Sequence, residues 1–240
     1  MILLLGQSED DIFYFRERLE MRQIKKITDG FSVVLGKLGS DEFCLCAVGA
    51  SNYLSAIRTS YLINAYSPYL VVNVGGATSM KSSLHQGDLL IADRYYLHGV
   101  EHGRDGKSVY GQIPSLPPFF LSDGAFNSQA EAAAYAIGGF YIERGYLLSG
   151  EKDFFDQKEF DGIIQRHYRG SEKMSAYDNI SAGIAMVCSM HELALLTIKV
   201  IACEPGKAEQ YLTRKRRTLE MMPIMGRIMT TLLKASQERL

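Results

Sequence analysis

Leu70-Val-Val-Asn-Val74, running straight into Gly75-Gly-Ala-Thr78, and Leu89-Leu-Ile-Ala92, preceded by Gln86-Gly-Asp88, are the stretches that decide the fold. Unbroken apolar runs of this length suit strands buried on both faces, because helices cover each side of their sheet. Outward from them, runs at Ile2–Leu5, Phe31–Leu35, Phe43–Val48, Tyr146–Leu148 and Thr197–Ala202 predict further strands, mostly ending at Gly or an acid. Helical patterns alternate with these runs. Ser8 is placed to cap a helix reaching about Glu20, and Ser51 one reaching Ala65 before Pro68. Further helices are predicted over 128–136, 155–167 and 181–193, and from Lys207 onward. The alternation reads as an α/β fold built on a mostly parallel sheet flanked by helices. Ligands of such sheets bind beyond the carboxyl ends of strands, so the residues after each run are the ones to read.

Nothing Pro-, Gly- or Ser-rich divides the 240 residues, and the expectation is one domain over 1–240. A formal charge of −1 gives no electrostatic reason to bind nucleic acid. No apolar run reaches the roughly 18 residues of a membrane helix. Met1-Ile-Leu-Leu-Leu5 is too short for a signal-peptide core and lacks a basic flank. Cys44, Cys46, Cys188 and Cys203 form no CxxC pair, which points to buried free thiols in a reducing cytoplasm. His98 and His102 are four apart but each is followed by Gly, which suits a surface loop better than a metal site. No metal or other cofactor is expected. The segment from Val100 to Asp123, with Pro114, Pro117 and Pro118, reads as a long loop. The basic run Arg214-Lys-Arg-Arg217 reads most simply as a solvated helix face.

Two segments are placed to carry chemistry. Gly6-Gln-Ser-Glu-Asp-Asp11 follows the first strand, and a carboxylate there is positioned to deprotonate water. Ser8-x-x-Asp11 fits a capping box equally well, and residues alone favour that reading. Gly75 and Gly76 let a flat ring or a sugar approach the backbone without meeting a Cβ atom, though a tight turn needs glycine just as much.

Taken in order, the acidic N-terminal run, Asn73-Val-Gly-Gly-Ala77, Gly87-Asp88, Tyr110-Gly-Gln-Ile-Pro114, Leu148-Ser-Gly150, Ser181-Ala-Gly-Ile-Ala-Met-Val-Cys188 and Cys203-Glu204 resemble 5′-methylthioadenosine/S-adenosylhomocysteine nucleosidase. More loosely they resemble the nucleoside-phosphorylase superfamily. The resemblance implies a three-layer αβα fold, a purine-nucleoside substrate, a place in methionine salvage and a homodimer with the region of the second helix at its interface. It also implies hydrolysis of the adenine–ribose bond through an oxocarbenium-like transition state. One carboxyl activates water, a second protonates the purine and a third holds the ribose hydroxyls.

Carried over residue by residue, Asp11 falls on the water-activating glutamate and Glu204 on the purine-protonating aspartate, each one methylene from the family's length. In Asp178-Asn-Ile180, Ile180 falls on the ribose-binding glutamate, leaving Asp178 or Asn179 to take over that contact. The segment Glu151–Asp156 falls where the family binds adenine, with Phe154 or Phe155 as the stacking face. Where the superfamily's phosphorylases place phosphate-binding arginines, this chain has Gln7, Glu9, Asp10 and Asn73, which favours water as nucleophile. The altered carboxyls leave a second expectation, a catalytically impaired homologue that binds nucleosides or proteins.

Overall fold

The structure is a computed structural model that describes residues 1–102, 108–152, 156–168 and 173–237. Its ten strands are β1 (Ile2–Gly6), β2 (Glu20–Thr28), β3 (Phe31–Leu38), β4 (Asp41–Ala47), β5 (Leu70–Ser79), β6 (Leu89–Leu97), β7 (Phe120–Leu121), β8 (Ile142–Ser149), β9 (Met174–Asp178) and β10 (Ala194–Cys203). The helices are α1 (Glu9–Arg16), α2 (Asn52–Tyr66), α3 (Gly124–Ile137), α4 (Gln157–His167), α5 (Ser181–Met190) and α6 (Ala208–Gln237).

All ten strands join one sheet in the order β10-β6-β8-β9-β5-β1-β4-β3-β2, with β7 on β6. β5 pairs with β10 as well as with β1 and β9, so β5, β10, β6, β8 and β9 close into a ring and the other main strands extend from it. The sheet is mixed. Its long inner pairings β1–β4, β1–β5, β5–β10, β6–β8 and β8–β9 are parallel, whereas β2–β3, β3–β4, β5–β9, β6–β7 and β6–β10 are antiparallel.

Helices cover both faces, as the apolar runs predict. On one side Ile12 and Phe15 of α1, Ala130 and Ala134 of α3 and Met222, Met225 and Met229 of α6 pack on Leu4, Val72, Val74 and Ile198. On the other, Leu62 of α2 and Ile184, Ala185 and Cys188 of α5 pack on Leu3, Leu5, Val71 and Ile201. Among the described residues no helix is long and apolar enough to cross a membrane.

Three departures from the sequence reading matter. The first helix ends at Arg16 rather than near Glu20, and an unforeseen strand, β2, follows. Its residues are almost all exposed, so it carries no apolar alternation to reveal it, and its charges suit a sheet edge. β9, also unforeseen, is a five-residue segment with every residue buried. Finally, β5 does not stop at Val74 but runs through both glycines to Ser79, because β10 pairs alongside and matches Gly75 with Lys199 and Gly76 with Val200.

The two helices on the second face meet at a glycine. A Cβ on Gly183 would lie 2.3 Å from the Asn52 carbonyl oxygen and 2.6 Å from Ser55 Oγ. Gly183→Ala therefore forces α5 off α2. A loss of about 1–3 kcal/mol is expected from such overpacking, read as a lower denaturation midpoint.

Candidate active site

The carboxyl ends of β1 and β5 open into a polar cleft of about 170 Å³, roofed by α1 and α6 and lined by Gln7, Ser8, Asp11, Gly76, Arg214 and Thr218 among others. Asp11 sits at its inner wall, 7% exposed. Its Oδ2 accepts from the Ser8 backbone N–H at 2.8 Å and from Ser8 Oγ at 3.1 Å, the reciprocal half of a capping box. Oδ1 is left toward Gly75, whose missing Cβ would lie 3.0 Å from it, and the φ of +130° there also favours glycine. The two readings of Asp11 are thus compatible: one oxygen caps α1 and the other faces β5. Burial pushes its carboxyl above the ordinary value, and the positive charge of Lys199 opposes that shift.

Lys199 has no counterpart in the sequence reading. It lies mid-strand in β10 with its side chain 1% exposed. Nζ donates to Asn73 Oδ1 at 2.9 Å and to the Val74 carbonyl at 3.3 Å, and stands 3.2 Å from Asp178 Oδ2. The available signal was a lone cation in Leu195-Leu-Thr-Ile-Lys-Val-Ile-Ala-Cys203, since a buried lysine needs an ionised partner.

Asp178 is that partner, and its carboxylate is fully engaged. It accepts from Ser149 Oγ at 2.6 Å and from the Ile180 and Ser181 backbone N–H groups at 3.2 and 3.0 Å, and Ser181 Oγ donates to its other oxygen. Burial alone would raise its pKa, but Lys199 and these donors outweigh it and hold the carboxyl below the usual range. A carboxylate so occupied has no lone pair left for ribose. Asn179 donates from Nδ2 to the Gly150 carbonyl at 2.8 Å. Ile180 is completely buried in the apolar layer under α5.

Glu204 lies just past β10 and is engaged by neighbouring residues. Its carboxylate accepts from the Gln86 backbone N–H at 3.2 Å and pairs with Lys207 at 2.6 Å, with His85 at 3.5 Å. Of the three acids, Asp11 lines the strand-end cleft, and Asp178 and Glu204 are not among its lining residues. Phe154 and Phe155 lie outside the described residues. The neighbouring Gly150, Glu151 and Lys152 line a second, more apolar cavity of about 310 Å³ between α2, α5 and the loop after β6. Glu151 there caps α2 through the Asn52 backbone N–H at 2.8 Å. His98, in the same wall, bonds Tyr110 at 2.9 Å, and burial first, then the charges of His167 and Lys152, lower its pKa to about 4.

The basic run is not simply a solvated face. Arg214 is half-buried and lines the cleft, while Lys215 pairs with Asp10 at 2.8 Å.

Residues 2–233 match the family model described as the phosphorylase superfamily. The chain belongs to that superfamily. It is 26% identical over 206 residues to a 5′-methylthioadenosine/S-adenosylhomocysteine nucleosidase of Bacillus thuringiensis, covering 86% of this chain and 87% of the relative. A Bacillus anthracis protein of the same name matches to the same extent. Among solved structures, the Neisseria meningitidis nucleosidase in complex with methylthio-immucillin-A superposes with a TM-score of 0.88 at 22% identity, over 98% of both chains. The futalosine hydrolase of Helicobacter pylori gives 0.85 at 18% identity, over 98% of this chain and 97% of its own. The expected superfamily and its helix-flanked mixed sheet are borne out by these matches.

The Lys199–Asp178 pair makes a stability prediction. Lys199→Met leaves Asp178 buried without a counter-ion and is expected to cost about 3–5 kcal/mol. Adding Asp178→Asn should return most of that loss in urea denaturation. Because the Asp178 pKa is depressed in the folded state, its contribution is present at neutral pH. It is lost only as pH falls through that low value.

Proposed function

We propose that the chain is an N-glycosidase that hydrolyses the base–ribose bond of a purine nucleoside of the 5′-methylthioadenosine/S-adenosylhomocysteine kind. The observation that carries this reading is Asp11: a buried carboxyl at the strand-end cleft, with one oxygen anchored by Ser8 and Lys199 beside it. The curated relatives that match most of the chain bear the nucleosidase name, which supports the same chemistry. Water's oxygen bonds to C1′, its proton passes to Asp11, and the C1′–N electron pair leaves with the base, which gains a proton. Lys199 keeps Asp11 available as a base against the effect of burial.

Gly75 and Gly76 border the space for the sugar without forming its floor, because Asp11, Thr218 and Arg214 take the room over them. Asn179, rather than the occupied Asp178, is the group left for a ribose hydroxyl. Glu204 serves as the purine acid only if it exchanges Lys207 for the base. Phe154 supplies the stacking face. The unit acts as one domain over 1–240 and as a homodimer, for which the exposed apolar residues Tyr53, Leu54, Ile57 and Tyr61 of α2 provide the face. Four free, buried thiols suit the cytoplasm, and breakdown of such nucleosides suits methionine salvage.

Glu204 tied to Lys207, together with Ile180 at the ribose position, favours a second reading, an impaired homologue that retains nucleoside or protein binding. Free adenine released from 5′-methylthioadenosine or S-adenosylhomocysteine distinguishes the two. Asp11→Asn should slow release by about a hundredfold or more, the usual loss with a general base. Since the Asp11 pKa is raised, the wild-type rate should fall with decreasing pH at a point above the ordinary carboxylate value of 3.8, and the variant should lack that limb. Absence of release from a broad nucleoside panel, with adenine still binding in calorimetry, would select the second reading.

A further inference from the structure

Arg214 is held where a free guanidinium is costly. α6 crosses directly over the backbone of Gly76: a Cβ there would lie 2.6 Å from Thr218 Oγ1 and 3.7 Å from Arg214 Nε. Arg214 donates from Nη2 to the Gly76 carbonyl at 3.3 Å, which lays its side chain across the floor of the cleft. The other three cations of Arg214-Lys-Arg-Arg217 each have a carboxylate: Lys215 pairs with Asp10, and Arg216 and Arg217 with Glu220. Among the described residues, Arg214 has no carboxylate partner. A guanidinium carries five N–H donors in a planar fork, and one long hydrogen bond, with only the through-space attraction of Asp11 beside it, leaves most of those donors open to the cleft.

Asp11 lines the same cleft but is turned to Ser8 and Gly75. Nearby acids bear on which anion can enter. A free dianion such as phosphate meets Asp10 and Asp11 as well as Arg214 and Lys215, and no attached group holds it against the two acids. A monoanionic group attached to a nucleoside is retained by the remainder of the ligand and meets less repulsion.

We propose that Arg214 is a specificity-determining residue that receives a carboxylate, or a similar monoanionic group, carried by the nucleoside. The inference rests on the cleft being the nucleoside site proposed above. It adds a preference that the uncharged substituent of 5′-methylthioadenosine does not satisfy.

The test compares 5′-methylthioadenosine with two carboxylate-bearing nucleosides, S-adenosylhomocysteine and adenosine-5′-carboxylic acid, on wild-type protein, Arg214→Gln and Arg214→Lys. For at least one anionic nucleoside, Arg214→Gln should raise KM about tenfold more than it raises KM for 5′-methylthioadenosine, the effect of one charge-assisted bond near 1.4 kcal/mol. Arg214→Lys, which keeps the charge but loses the fork, should fall between. Equal losses on all three nucleosides overturn the proposal. So does a wild-type rate on 5′-methylthioadenosine that rises with added inorganic phosphate and loses that response in Arg214→Gln, because the anion is then free. Should the wild type release no base from any of them, the N-glycosidase reading fails by itself. Calorimetric titration with the same nucleosides then decides: tighter binding of an anionic one that Arg214→Gln abolishes upholds the inference, and equal or absent binding overturns it.

Discussion

One buried ion pair organises the centre of this molecule. Lys199 on β10 and Asp178 at the end of β9 are both out of water, where either charge alone is strongly disfavoured. Their hydrogen bonds fix the surrounding elements. Lys199 reaches across to Asn73 and Val74 of β5, and Asn73 donates from Nδ2 to Ser181 Oγ at 2.7 Å. Asp178 accepts from the first backbone N–H groups of α5, where a carboxylate is also favoured by the helix dipole, and from Ser149 of β8. Ser149 in turn bonds Asn52 at the start of α2. Four strands and two helices thus share one electrostatic centre.

The same pair sets the chemistry of the cleft. Lys199 is the positive charge that opposes, without reversing, the upward effect of burial on the Asp11 carboxyl. Two adjacent glycines admit this arrangement from opposite sides. Gly75 leaves room for the Asp11 carboxyl, and Gly76 leaves room for Thr218 and Arg214. Side chains at these positions would separate α1 and α6 from β5 and close the space between them.

Membership of the phosphorylase superfamily accounts for the sheet and its helical layers over nearly the whole chain. Asp11 lines the cleft, Asp178 is the counter-ion of a buried lysine, and Glu204 faces Gln86 and Lys207. A positive residue from α6 lines the cleft as well. Gln7 and Asp10 therefore do not set the charge of the cleft by themselves, because Arg214 and Lys215, distant in sequence, line the same space.

The order of apolar runs, helix starts and glycines in the sequence determined the α/β class, the two covered faces and the position of Asp11 just past the first strand. These depend on local periodicity and on what a strand or helix must bury, which neighbouring residues reveal. β2 stayed hidden because an edge strand in water needs no apolar pattern, and β9 because five residues are too few to show one. Only the tertiary structure decided that Lys199 pairs with Asp178 and bears electrostatically on Asp11, that Asp178 has no free lone pair and that Arg214 reaches the cleft from α6. Those outcomes follow from which groups lose water together when distant segments meet, and no single segment carries that information.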